Sequence, residues 1–155
     1  MQFRRFLFLP LLLAACQAPG PAELPPHAPN YITERDNRVL GEATAPGQFE
    51  VLTRPGDAAP NLWCAAGEYA DRALRQPVAE RIYVVKPLSP SVRRPGVKSV
   101  VFTVRPTADL PEPTRPPNDF STTVSRPGES MTIGAASFMC RQLKPRFPLF
   151  EWLLR

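Results

Sequence analysis

Histidine is almost absent from this chain: His27 is the single one in 155 residues. It lies in a proline-rich stretch without a neighbouring ligand or base, and we read it as a solvated linker residue. With no histidine in the part expected to fold, neither a Ser-His-Asp nor a Cys-His catalytic set can be assembled, and a histidine-containing zinc site is excluded. Glycine is sparse too. Gly56, Gly67, Gly96, Gly128 and Gly134 stand singly, as turn or strand punctuation, and form no phosphate-cradling loop. No apolar run reaches the roughly 20 residues that a membrane-spanning helix needs. The positive excess is mild, +5 at pH 7, and is no nucleic-acid footprint. What the chain has in plenty is proline, 21 residues against a usual share of about 5%, so turns and extended coil should be extensive and helix content low.

The proline-poor start carries the most specific motif. Arg4 and Arg5 precede the apolar run Phe6 to Leu13, which closes on Leu13-Ala14-Ala15-Cys16. The run is too short to span a bilayer but has the length of a signal-peptide core. These residues resemble a bacterial lipoprotein signal peptide. A plain secretory signal cut after Ala15 fits the charge and the apolar run as well, but leaves the cysteine without a use.

The resemblance implies that Cys16 receives a diacylglyceryl thioether, that cleavage follows on its N-terminal side, and that the new amine is acylated. Each buried methylene contributes about 0.8 kcal/mol, so two or three chains anchor the protein essentially permanently. It further implies a bacterial cell-envelope address on the periplasmic face of a membrane. Gln17, a non-aspartate after the cysteine, leans towards the outer membrane rather than the inner. Loss of residues 1–15 leaves 17 Lys and Arg against 14 Asp and Glu, a net +3 that favours anionic headgroups or acidic envelope polymers only weakly. With Cys16 lipidated, Cys64 and Cys140 remain, and an oxidising compartment favours their pairing, with a contribution on the order of 4 kcal/mol.

Downstream, Gln17 to Asn30 reads as a tether: five prolines, one charged residue and no core-forming pattern. Residues 31–155 are long enough for one domain and not comfortably for two. Tyr31 to Gly47 is polar and irregular, mostly coil with room for a short turn of helix or an edge strand. Gln48 to Arg54 alternates as a strand, placing Phe49 and Val51 on one face and Glu50 and Leu52 on the other. Pro60 to Gln76 reads as the one helix, opened by proline and stopped by Pro77. Leu62, Trp63, Ala66, Tyr69, Ala70, Ala73 and Leu74 form its apolar stripe, and Cys64 falls off that stripe among the charged residues.

Arg81 to Lys86 and Lys98 to Arg105 are β-branched strands, joined by a long connection whose Arg93 and Arg94 form a protruding basic loop. Pro106 to Asn118 should cross the surface without regular structure. Glu129 to Ala136 alternates as a further strand. The apolar tail Phe147 to Leu154 is read as packing back onto the domain. Together these predict an α+β fold: a small, mostly antiparallel sheet of about four strands with one helix on one face.

Trp63-Cys64 at a helix start resembles the Trp-Cys opening of a thioredoxin active site, which implies an activated thiol at Cys64. The chain departs from that family where the second cysteine would stand, near Ala66-Gly67, and in lacking its βαβ order. Glu34, Asp36, Glu42, Asp57, Glu68 and Asp71 read as solvated charges, although a glycosidase-like pair is defined by spacing in three dimensions. The leading expectation is a non-enzymatic envelope lipoprotein, a tethered binding or accessory module. No cofactor or metal is called for, and its partners are a membrane, through the anchor, and an envelope protein or anionic polymer. The alternative is a periplasmic thiol-redox accessory using Cys64.

Overall fold

The computed structural model describes residues 30–112 and 122–143. The signal segment with Cys16, His27, residues 113–118 of the proline-rich stretch and the apolar tail lie outside the described residues. In chain order the elements are β1 (Tyr31–Ile32), β2 (Arg38–Gly41), β3 (Gln48–Leu52), α1 (Ala59–Glu68) running into a π-helical turn (Tyr69–Ala73), β4 (Arg81–Pro90), β5 (Lys98–Thr103), β6 (Ser130–Thr132) and α2 (Ile133–Gln142). The six strands form one sheet in the order β1-β2-β3-β5-β4-β6, and every neighbouring pair is antiparallel. This is the expected α+β class. The strands are six rather than four because the irregular 31–47 stretch supplies β1 and β2.

Alternation along β3 and β5 sends Phe49, Val51, Val100 and Phe102 to one face, where they meet Leu62, Trp63, Ala66, Tyr69 and Ala70 of the helical layer. Each of the large side chains is fully buried, a contribution of about 1.5–3 kcal/mol apiece. Phe102 lies 5.1 Å from Trp63 and Phe49 lies 4.7 Å from Tyr69, centroid to centroid. The expected stripe on α1 is thus the core face. Pro60 sits in the first turn of α1, and Asn61 Oδ1 accepts the Ala58 N–H at 3.1 Å. The helix ends after its π-helical turn at Arg75, which takes φ of 53° before Pro77.

Two sequence expectations are corrected. The run 129–136 is a strand only over Ser130–Thr132; Ile133 onwards is helical, with Thr132 Oγ1 accepting the Ala135 N–H at 3.2 Å as an N-cap. Cys64 is accordingly not on a solvent face, because α2 covers that side of α1 and leaves it 1% exposed. The helices run antiparallel and come closest at Gly67, where an added Cβ would stand 2.8 Å from both Ala136 Cβ and the Ser137 backbone N. One turn away Cys64 and Cys140 form a disulfide, Cα to Cα 4.8 Å. At this same end of α2, the Arg35 guanidinium donates to the carbonyls of Cys140 (2.8 Å) and Leu143 (2.7 Å), placing positive charge on the helix C-terminus.

The β3–α1–β4 connection is a crossover, since β3 and β4 are parallel to each other with β5 between them. A strand–helix–strand order therefore surrounds Trp63-Cys64, in split form. No helix among the described residues is long and apolar enough to cross a membrane.

Candidate functional site

One sheet face is buried under the helices; the site lies on the other. There the register sets Leu40, Glu50, Val101 and Lys86 in a row across β2, β3, β5 and β4. The register of β4 slips twice, between Val84 and Lys86 and again between Lys86 and Ser89, where Pro87 has no N–H to give the ladder. Such bulges bend and twist a strand. The far end of the β4–β5 hairpin crosses over β3, so that Arg93 Nη1 donates to the β2 carbonyls of Leu40 (3.3 Å) and Gly41 (3.0 Å). Gly96, at φ 82°, closes the turn that returns the chain to β5.

Between this hairpin and the sheet lies a groove of about 240 Å³, floored by Glu50, Ser99 and Val101 and walled by Glu42, Lys86 and Arg93. Glu50 is 6% exposed, yet its one hydrogen-bond partner among the described residues is Ser99, whose Oγ donates to Oε1 at 2.6 Å. Lys86 is exposed and has no ion-pair partner among the described residues. Glu42 accepts from the Thr44 backbone N–H at 3.3 Å and the Thr44 hydroxyl at 3.0 Å. Those bonds, with the Arg93 charge as a smaller influence, hold its carboxyl below the ordinary range. Val92, 84% exposed, forms the rim.

The sequence-predicted residues separate in space. Arg93 belongs to the groove; the loop that carries it is shorter than expected, because β4 continues to Pro90, and Arg93 folds onto β2 instead of protruding. Arg94 is exposed, with its backbone N–H on Ser91 Oγ at 3.0 Å, and faces a different hollow beside Asp36 and Arg38. Cys64 and Cys140 sit on the opposite side of the sheet, between the helices.

Of the six carboxylates singled out in the sequence, Glu42 alone reaches the groove. Glu68 accepts from the Tyr31 hydroxyl (2.9 Å) and the Glu34 N–H (3.0 Å), while Arg72 bridges Glu34 and Glu68. This knot ties β1 to α1, and burial, reinforced by the Glu68 bond and charge, pushes the Tyr31 phenol up to about 12. Asp36 pairs with Arg54 at 3.0 Å, and Asp57 accepts from Asn37 Nδ2 at 2.6 Å and the Arg54 N–H at 2.7 Å. Asp71 is half-buried on the π-helical turn.

Glu50 is the residue that sequence reasoning passed over. Its signal was present: a carboxylate in the middle of an alternating strand, on the face opposite Phe49 and Val51. Only the fold-over of the hairpin, which carries Arg93 onto β2, turns that position into the floor of a groove. Among the described residues no group of three or more His, Cys, Asp or Glu is placed to hold a metal ion. Comparison with protein-family models, curated protein sequences and solved structures finds no match to this chain, so the chemistry of the groove rests on its own residues.

Proposed function

We propose that this chain is a non-enzymatic lipoprotein of the bacterial envelope: Cys16 carries the lipid, residues 17–30 form the tether, and the domain is a binding module that works through its outer-face groove. The observation that carries the binding role is Glu50. A carboxylate held 6% exposed on a single hydroxyl donor is costly to the fold, and a cost retained at a concave surface points to a ligand that offsets it. The anchor is supported by Arg4, Arg5, the apolar run and Leu13-Ala14-Ala15-Cys16, and outer-membrane delivery by Gln17. An envelope protein or an anionic envelope polymer is the class of partner available at that address. The rival reading, a thiol-redox accessory, draws on Trp63-Cys64 at a helix start, but a cysteine 1% exposed and bonded to Cys140 offers no accessible thiolate.

The test is cross-linking in intact envelopes. A photoreactive residue replaces Val92 at the groove rim of the full chain. A discrete adduct that disappears in a Glu50→Gln background supports the binding role. Absence of any adduct, or one indifferent to Glu50→Gln, overturns it.

A further inference from the structure

Glu50 and Lys86 line one groove without meeting. Val101 of β5 stands opposite Glu50 on one side and Lys86 on the other, so the two rise from the same row two strand spacings apart, roughly 9–10 Å. The lysine stem is long enough to cover much of that gap, yet no ion pair joins them. Arg93 is pinned above the floor by its two β2 carbonyls, which occupy Nη1 and leave its other N–H groups available. Formal charge in the groove cancels, Glu42 and Glu50 against Lys86 and Arg93, but it is separated in space: Glu50 is the charge at the floor, and on the walls the two cations outnumber Glu42.

That separation selects a ligand by chemistry. An anion would meet Glu50, and a cation would meet Lys86 and Arg93. A neutral sugar could use Ser99 and Glu50 but would leave Lys86 unmatched. A volume of about 240 Å³ falls below the roughly 300–1,000 Å³ of sites for drug-sized ligands, so the guest is small. Two residues of extended peptide span at most about 7 Å, which fits the gap between Glu50 and Lys86 once the side chains reach in.

We propose that the groove binds an amino-acid zwitterion, free or as a dipeptide, with its ammonium on Glu50 and its carboxylate between Lys86 and Arg93. The proposal rests on the binding role given above and narrows its partner to a small zwitterion, in place of the anionic polymer that Glu50 would repel. Specificity follows from polarity, since a site built around a buried carboxylate rejects a ligand that lacks the matching donor.

Calorimetric titration of the full-length protein in detergent with L-alanyl-L-alanine, its N-acetyl form and its C-terminal amide tests this. The dipeptide should bind, and each capped form should bind about tenfold or more weaker, a loss of about 1.4 kcal/mol or more. Glu50→Gln, with its thermal midpoint recorded alongside, should weaken the dipeptide to a similar degree. Lys86→Gln, at an exposed position, should weaken the dipeptide but not the amide, and it carries the test if Glu50→Gln fails to fold. Equal affinity for capped and uncapped forms, or no binding of the dipeptide, overturns the proposal. N-acetylglucosamine binding that is lost in the Glu50 variant overturns the zwitterion while the binding role stands; failure of the Val92 cross-link removes the binding role itself.

Discussion

Tyr31 shows how single side chains hold this small sheet together. Strand β1 is two residues long and could not stay paired by its ladder alone; its phenol reaches Glu68 on α1, and the same carboxylate accepts the Glu34 N–H. Folding raises that phenol from 10.0 to about 12, so between those values the folded chain keeps a proton that the unfolded chain has released. The contribution is whole below pH 10 and is lost as pH rises to about 12. Tyr31→Phe should therefore cost about 1.5 kcal/mol near neutrality, the worth of a hydrogen bond to a charged group, and the gap from the parent should close at high pH. Denaturant titrations of both proteins across the alkaline range measure it. At this scale the sequence was partly legible. Phe49 and Val51 announce themselves by alternation, but Glu50 and Glu42 look alike as isolated carboxylates, and only the hairpin lying over one of them distinguishes the two.

At the scale of elements, the helix pair tests the packing. Gly67 would ordinarily be a weak point, because glycine in a helix interior costs up to about 1 kcal/mol against alanine. Here the missing Cβ is what lets α2 approach, with Ala136 and the Ser137 backbone where that carbon would go. Gly67→Ala should thus reverse the usual sign and destabilise by about 1–3 kcal/mol. Thermal or denaturant unfolding decides it, and a stabilised variant would show that the helices are not this close. Helix α1 was legible because its stripe runs through seven residues at helical spacing. Helix α2 was not, because Met131, Ile133 and Ala135 alternate as a strand would. Its real signals, Thr132 as N-cap and Ile133, Ala136 and Cys140 at helical spacing, are short and weakly apolar. The curl of β4 was hidden for a related reason: Pro87 reads as a strand's end, whereas at a bulge it bends a strand that goes on.

For the whole molecule, the disulfide joins residues 76 apart in sequence and clamps the two helices that cover the sheet. Replacing both cysteines by alanine should lower stability by about 4 kcal/mol, read from denaturation midpoints, because the unfolded chain regains the freedom the cross-link removes. The groove lies across the sheet from this clamp, so dipeptide binding should survive the replacement wherever the domain remains folded. A redox role for Cys64 requires the contrary. Domain class was legible because the strand pattern is clear, and the pairing because two cysteines, Cys64 and Cys140, remain once Cys16 is set aside. Topology was not, since β5 inserts between β3 and β4 and no local pattern encodes that order.

The central claim is that a folded module is held at a membrane by Cys16, and mass spectrometry of the mature protein from bacterial envelopes tests it most directly. The mature chain should begin at Cys16 carrying a diacylglyceryl group and an N-acyl chain, with Cys64 and Cys140 recovered as one cross-linked peptide pair. A chain that begins elsewhere, or a Cys16 without lipid, contradicts it.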